Sequence, residues 1–192
     1  MSFSKNVFLR DGNEVLIKSL TGKEDVREFQ NFINTITGED SHLLLDKPLT
    51  LKEEKIWLKN QIQANRKGVQ IYLKALTNGH LIGVCNAQRG IYRNRGNVNI
   101  GVALEKNWRG RGLGRVLLME IITLAEKKWH PKNIYLHVAS PNRTALALYR
   151  SLDFRTLAKL PQWFEYKGKY CDEFILILDK KFYRQEWKKY YC

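Results

Sequence analysis

The chain has 192 residues, of which 44% are hydrophobic, and this is enough for one domain with a substantial core. A formal net charge of +14 favours anionic partners, namely nucleic acid, a membrane surface or a phosphate-bearing ligand. The three cysteines are far apart and no long apolar run occurs, which argues against a disulfide framework, a metal site, a membrane span and export. We expect a single domain over 1–192, located in the reducing cytoplasm.

The first third of the chain is predicted to form one strand and two helices. The strand is expected over 14–20, and apolar residues at helical spacing predict a helix over 22–37. Thr50 and Glu53 have the spacing of a capping box, which predicts that a second helix begins there.

Strands and helices alternate through the rest of the chain. Residues 69–76 and 81–88 are predicted to form a β-hairpin, with Asn78 and Gly79 at its turn. The patterns that follow predict a strand over 97–104, a helix over 113–129, a strand over 133–139, a helix over 142–152 and two strands within 154–178. This order predicts a mixed α/β (α+β) fold in which the strands flanking the long helix are parallel.

A glycine-rich and arginine-rich segment, NWRGRGLGR at residues 107–115, lies between a predicted strand and a predicted helix. Such a turn presents backbone N–H groups and the positive end of a helix dipole, so it is suited to hold phosphate. The spacing excludes the nucleotide P-loop, which requires G-x-x-x-x-G-K-[ST]. It also excludes the dinucleotide fingerprint, which requires a glycine where Arg115 stands.

Two motifs resemble those of the GNAT superfamily of acyl-CoA-dependent N-acetyltransferases. The pyrophosphate loop of that family has the pattern [RQ]-x-x-G-x-[GA], which Arg109, Gly112 and Gly114 match. After the next strand the family shows N-x-x-A-x-x-L-Y-x-x-x-G-F, matched here by Asn142, Ala145, Leu148, Tyr149 and Phe154. Asp153 stands where the family usually has glycine, and an aspartate tolerates the left-handed conformation of such a helix end at some cost. The resemblance covers residues 98–154 and implies a central, mostly antiparallel, twisted sheet with a splayed parallel strand pair and helices on both faces.

The resemblance also implies acetyl-CoA as cosubstrate, used without a metal. The strand around Val102, Ala103 and Leu104 would pair with the pantetheine arm and donate an N–H group to the thioester carbonyl. Asn142 would hydrogen-bond the cofactor arm, and Tyr149 would protonate the departing thiolate. The pyrophosphate would be held by the loop and the start of the helix, that is by Arg109, Gly110, Arg111, Gly112, Leu113, Gly114 and Arg115.

The general base is expected to be His137, on the strand beside the acetyl site, where similar N-terminal acetyltransferases place a Glu or a His. A histidine suits the task because its ordinary pKa is close to neutral pH. Strand alternation leaves open whether the imidazole faces the cleft or the helices. Glu105 and Tyr72 are the alternative bases or water-positioning groups.

The acceptor amine is the least determined element. A predicted hairpin with Lys167 and Gly168 at its turn resembles the C-terminal strands of the ribosomal-protein and polyamine branches of the family, so Tyr166 and Tyr170 are candidate substrate contacts. We expect a protein or peptide α-amine, with a small amine such as a polyamine or amino sugar as the alternative. A non-catalytic CoA-binding or RNA-binding module is the alternative of another class. The basic, aromatic segment 180–192 is predicted to be helical. Contact of the basic surface with the ribosome or with RNA stays an open alternative. The oligomeric state, monomer or homodimer, also stays open.

Overall fold

One eight-stranded sheet organises the chain in a computed structural model that describes residues 3–39 and 41–180. The spatial order of the strands is β1-β2-β3-β4-β5-β6-β8-β7. All neighbours are antiparallel except β5 and β6, which are parallel. The strands are β1 Ser4–Phe8, β2 Glu14–Ser19, β3 Gln70–Thr77, β4 His80–Arg89, β5 Asn97–Leu104, β6 Asn133–Ala139, β7 Phe154–Tyr166 and β8 Lys169–Leu178.

Four α-helices cover the two faces of this sheet. They are α1 Val26–Gly38, α2 Leu51–Arg66, α3 Leu113–Trp129 and α4 Arg143–Arg150. Side chains of α1 and α2 pack on one face around Phe29 and Leu58, and side chains of α3 and α4 pack on the other around Leu117 and Ile121. The expected fold class, with its single parallel strand pair and helices on both faces, is confirmed.

The two parallel strands separate after a short paired stretch. β5 and β6 pair only at Asn97–Asn133, Val98–Ile134 and Asn99–Tyr135. Beyond Asn99, β5 continues in register with β4 as far as Leu104, while β6 continues in register with β8. The sheet is therefore split between β5 and β6, next to the loop that leads into α3.

Local sequence signals account for several element boundaries. The Thr50 side chain accepts from the Glu53 N–H and the Glu53 carboxylate accepts from the Thr50 N–H, which confirms the capping box. Asn78 and Gly79 both have positive φ, as a two-residue hairpin turn requires, and Lys167 and Gly168 do the same in the last hairpin.

Two expectations about the N-terminal region require correction. An additional strand, β1, precedes the predicted first strand and pairs with it. The first helix begins at Val26 rather than at residue 22, because the Asp25 side chain accepts from the Arg27 N–H and caps the helix there. The C-terminal helix predicted over 180–192 lies outside the described residues except for Lys180. No helix in the described part of the chain is long and apolar enough to cross a membrane.

Candidate active site

The edge of β5 that faces the split carries backbone groups of alternate residues. The Gly90 N–H donates to the Asn97 carbonyl and the Glu105 N–H donates to the Ile82 carbonyl, so the odd-numbered residues of β5 bond to β4. The backbone groups of Val102 and Leu104 therefore point into the split, whereas those of Ala103 point toward β4. Val102 and Leu104 are the residues of this segment whose N–H groups an extended ligand in the split can reach.

The glycine-rich loop forms the start of α3. Gly110 and Gly112 have φ values of 76° and 92°, a left-handed conformation that favours glycine, and a side chain at either would meet no atom within 4 Å. The N–H groups of residues 113–115, in the first turn of α3, have no partner within the helix, and the helical hydrogen bonds begin with the Val116 N–H, which donates to the Gly112 carbonyl. This arrangement fits a bound pyrophosphate, because it combines unpaired donors, a positive helix end and an open surface.

Gly114 has a different physical role from the other two glycines. Its φ is not positive, and an added Cβ would lie 3.1 Å from Leu148 Cδ2 and 3.4 Å from Leu104 Cδ1. Gly114 therefore allows α3 to pack closely against α4 and β5. Close packing between these elements, rather than access for a ligand, explains the glycine at this position.

The three arginines of the loop all contact groups of the protein itself. Arg109 donates through Nε to the Leu104 carbonyl at 3.0 Å and through Nη2 to Glu39 Oε2 at 2.7 Å. Arg111 pairs with Asp11 at 3.0 Å and lies over the ring of Trp108, and Arg115 donates to the carbonyl and hydroxyl oxygens of Ser151. Their guanidinium groups shape the loop, and the backbone N–H groups are what the loop presents to a ligand.

Asn142 and Tyr149 lie on the opposite side of the split from β5. The Oδ1 atom of Asn142 accepts from the Ala145 N–H and caps α4, so its Nδ2 group is the one suited to donate to a ligand. Tyr149 is only 6% exposed and its ring packs edge-on against Phe154. Burial raises the pKa of the Tyr149 phenol far above its ordinary value, which keeps the hydroxyl protonated as a proton donor must be.

His137 lies on the sheet face that carries α1 and α2. Its neighbours Ile134, Leu136 and Val138 belong to the core under α3 and α4, so strand alternation turns the imidazole to the other face. Asn99 pairs with Tyr135, and a register continued by two residues would set Gly101 of β5 opposite His137. The imidazole therefore lies on β6, the strand that borders the split on the side opposite β5.

A buried carboxylate, Glu173 on β8, holds this imidazole. Glu173 Oε2 lies 3.0 Å from His137 Nδ1, and the His137 side chain remains 41% exposed. The pair fixes Nδ1 as the donor and leaves Nε2 as the acceptor, which is the arrangement of a base oriented by a carboxylate. Sequence reasoning missed Glu173, because nothing local in the sequence shows that β8 lies beside β6.

Tyr72 lies inside the protein rather than at the split. It is buried between Phe29 of α1 and Trp57 of α2, and burial raises its pKa far above the ordinary value. Glu54 of α2 is 1% exposed, its Oε1 atom has no hydrogen-bond partner among the described residues, and burial raises its pKa to about 7. Glu54 is a second carboxylate that sequence reasoning missed.

Glu105 and the last hairpin border the same face. Glu105 follows β5 on the side of Ala103, and burial together with the nearby Glu39 raises its pKa. Tyr166, at the end of β7, stacks on His42 of the loop between α1 and α2, with ring centroids 4.3 Å apart. Tyr170 is exposed on β8. The hairpin and the α1–α2 loop therefore meet through the rings of Tyr166 and His42.

The comparisons with known proteins agree with this geometry. The profile of the acetyltransferase (GNAT) family matches residues 34–154. An acetyltransferase of the GNAT family from Streptococcus pneumoniae superimposes with a TM-score of 0.74, at 26% identity over 85% of this chain and 98% of that one. A ribosomal-protein-alanine N-acetyltransferase from Brucella melitensis gives a TM-score of 0.71, at 26% identity over 84% and 97% of the two chains.

Relatives among curated proteins match shorter segments. N-alpha-acetyltransferase 60 of Danio rerio is 34% identical over 83 residues, which cover 41% of this chain and 34% of the relative. The curated relatives align over only 18 to 34% of their own length. Because the family profile spans more than half of the chain and ends at Phe154 of the second motif, the chain belongs to the GNAT family of acetyltransferases, enzymes whose acyl donor is acetyl-CoA.

Proposed function

We propose that this chain transfers the acetyl group of acetyl-CoA to the α-amino group of a protein or peptide. The observation that carries the proposal is that buried Glu173 lies 3.0 Å from Nδ1 of His137, whose partly exposed imidazole lies on β6, the strand that borders the split. The ribosomal-protein and N-alpha-acetyltransferase relatives support the same acceptor class.

The donor side follows from the split and the loop. Acetyl-CoA supplies a thioester, whose carbonyl carbon the amine attacks and whose C–S bond breaks. Backbone N–H groups at the start of α3 would hold the pyrophosphate, and the Nδ2 group of Asn142 would hold the pantetheine arm. The N–H group of Val102 or Leu104 would bind the carbonyl oxygen as negative charge develops on it, a contact whose removal typically costs about 3 kcal/mol.

Proton transfer then involves two side chains beside the split, on opposite faces of the sheet. His137 Nε2 would take the proton that the amine loses as its nitrogen bonds to carbon, and Glu173 would stabilise the resulting imidazolium. Tyr149 would donate its hydroxyl proton to the departing thiolate and recover one from solvent. The products are an N-acetylated chain and CoA as the free thiol.

The strength of this base suits an α-amine better than a lysine side chain. At pH 7 about 9% of a group with a pKa near 8 is neutral, against about 0.04% of a group with a pKa near 10.4. An imidazole can complete the deprotonation of the first but is too weak a base for the second. The stacked rings of Tyr166 and His42 would lie beside the residues that follow the amine.

A small cationic amine remains the second candidate, and one observation favours it. Glu105 and Glu173 both lie on the acceptor face, on either side of the split, where two carboxylates would attract a cationic amine although the chain as a whole is basic. We assign the reaction to the cytoplasm because Cys85 and Cys171 are both free thiols.

An acceptor panel tests the proposal. The protein is offered acetyl-CoA with lysine-free peptides that have a free N-terminus, with N-terminally blocked peptides that contain lysine, and with a polyamine, and thiol release is measured. We expect release with the first class. Release with the polyamine alone would overturn the assignment of the acceptor.

His137→Gln tests the base. The variant keeps a polar side chain but cannot accept the proton, so kcat/KM should fall by about 10- to 1000-fold near neutral pH and the deficit should shrink at high pH, where the amine is already neutral. His130→Asn, at an exposed left-handed position at the end of α3, is the matched control and should leave the profile unchanged. Identical pH profiles for His137→Gln and the wild type would remove His137 from the mechanism.

A further inference from the structure

The end of the sheet remote from the split carries a concentration of positive charge. Three segments meet there, residues 66–69, 89–96 and 127–133. The Arg89 N–H donates to the Val69 carbonyl, Trp129 Nε1 donates to the Gly68 carbonyl, and the Lys132 N–H donates to the Gly96 carbonyl. We call these three segments the basic end.

The basic end contains eight cationic side chains and no carboxylate. None of the eight forms an ion pair within the described part of the chain, whereas Arg109 and Arg111 of the glycine-rich loop each pair with a carboxylate. Six of the eight are exposed, and Arg89 and Lys128 are half-buried. The eight are Arg66, Lys67, Arg89, Arg93, Arg95, Lys127, Lys128 and Lys132. The basic end is therefore a local concentration of cations without a carboxylate partner among the described residues.

An aromatic side chain projects from the middle of this charge. Tyr92, between Gly90 and Arg93, is 82% exposed, and its φ of 50° is unusual for a residue other than glycine. This backbone conformation turns the ring of Tyr92 outward, and burial in the core does not account for its position. Aromatic rings surrounded by arginine and lysine are the arrangement on which nucleic-acid bases stack while their phosphates are neutralised.

The chain also leaves its described part at this end. Lys180 pairs with Glu126 at 2.8 Å and bonds to the Pro131 carbonyl, which places the end of β8 beside α3. The sequence that follows, KFYRQEWKKYYC, adds four further cations and five aromatic residues against one glutamate. The basic end and the sequence that continues from it thus share one composition.

We propose that the basic end binds RNA through its phosphate backbone, with Tyr92 stacking on a base. The cations are spread over three segments rather than gathered in a pocket, which fits a polymer with repeated phosphates better than a small anion. An anionic membrane would require a continuous apolar face, and here only Ile91 and Tyr92 project. Because this surface lies away from the split, the enzyme can hold RNA and acetylate an amine at the same time.

Two matched triple variants of the full chain test the proposal. Arg93→Gln, Arg95→Gln and Lys132→Gln together remove three charges from the basic end. Lys52→Gln, Lys55→Gln and Lys59→Gln remove three from the exposed face of α2. Binding is measured with a labelled RNA of about 20 nucleotides, longer than one site of this type, over a range of salt concentrations.

We expect the first variant to bind at least about tenfold more weakly and the slope of log K against log salt to fall by about 2, since each single-strand phosphate contact contributes about 0.7. The α2 variant should bind nearly as the wild type does. Tyr92→Asn keeps a residue that tolerates positive φ and removes the ring, and it should weaken binding by about tenfold with the slope unchanged.

Acetylation of a short peptide without RNA should be the same in all three variants. An equal loss of RNA binding in both triple variants would reduce the effect to overall charge and overturn the proposal. Tighter binding to phosphatidylserine vesicles than to RNA, abolished by the first variant, would overturn it in favour of a membrane surface.

Discussion

Replacing the buried carboxyl of Glu54 should make the protein more stable at neutral and alkaline pH. Glu54 lies on the inner side of α2, 1% exposed, with Oε1 lacking a hydrogen-bond partner in the described part of the chain. A carboxylate without a partner is costly to bury, so the native state favours the neutral acid and burial raises the pKa to about 7. Glu54→Gln has nearly the same shape and remains neutral at every pH.

The magnitude follows from the difference between the native pKa of about 7 and the ordinary carboxyl pKa of 4.5. At about 1.4 kcal/mol for each tenfold change, ionisation in the native state lowers the free energy of unfolding by at most about 3.5 kcal/mol. The sign follows from the raised pKa. Below about pH 4.5 the ionisation of Glu54 does not lower the free energy of unfolding, and the lowering develops as the pH rises through about 7. Most of it, about 2.5 kcal/mol, falls between about pH 5 and about pH 8.

Urea unfolding of the wild type and Glu54→Gln at several pH values in that interval measures this difference. The two free energies of unfolding should diverge as the pH rises, with the variant becoming the more stable by about 2.5 kcal/mol relative to its offset at low pH. Any cost of burying the amide is independent of pH and appears only in that offset. Glu165→Gln, an exposed carboxyl on β7, controls for the change in net charge. Parallel curves for Glu54→Gln and the wild type would refute the reasoning.

Three further changes test the site. Tyr149→Phe keeps the buried ring and removes the proton, so turnover should fall by about 10- to 1000-fold while thermal unfolding is little changed; an unaltered turnover number would make Tyr149 a packing residue. Gly112→Val places a β-branched residue at a φ of 92° and should weaken acetyl-CoA binding in calorimetry far more than Arg115→Ala does, and equal affinities would contradict the loop assignment. Glu39→Gln loosens the Arg109 contact at 2.7 Å and should weaken acetyl-CoA binding about three- to tenfold, whereas Asp11→Asn, which removes the partner of Arg111, should not.

The central part of the fold could be predicted from local patterns because those patterns were strong. The structure has β5, α3 and β6 over 97–104, 113–129 and 133–139, the same residues that alternation, helical spacing and the glycine boundaries indicate. β1 was missed because its sequence, SKNVF, is polar and forms an exposed edge strand without a clear apolar face.

The candidate site was predicted only where its residues are close in sequence. Glu173 could not be paired with His137, because the contact depends on the order β6-β8-β7, which local patterns do not specify. Glu39 lies 70 residues before Arg109, so local sequence patterns could not predict their ion pair either. Tyrosine is a residue type that active sites use, but only the packing of α1 and α2 over Tyr72 shows that this one is buried.

The three residue pairs that join β5 to β6 are a sparse backbone connection between two units of the sheet, strands β1 to β5 and strands β6, β8 and β7. Strands β1 to β5 follow one another in the sheet in nearly the order of the chain, so most of their contacts are local and should form early. Strands β6, β8 and β7 form the second unit. We expect hydrogen exchange at the junction to report a lower opening free energy than exchange within either unit, and a ligand that spans the junction to raise that opening free energy in proportion to the logarithm of its concentration.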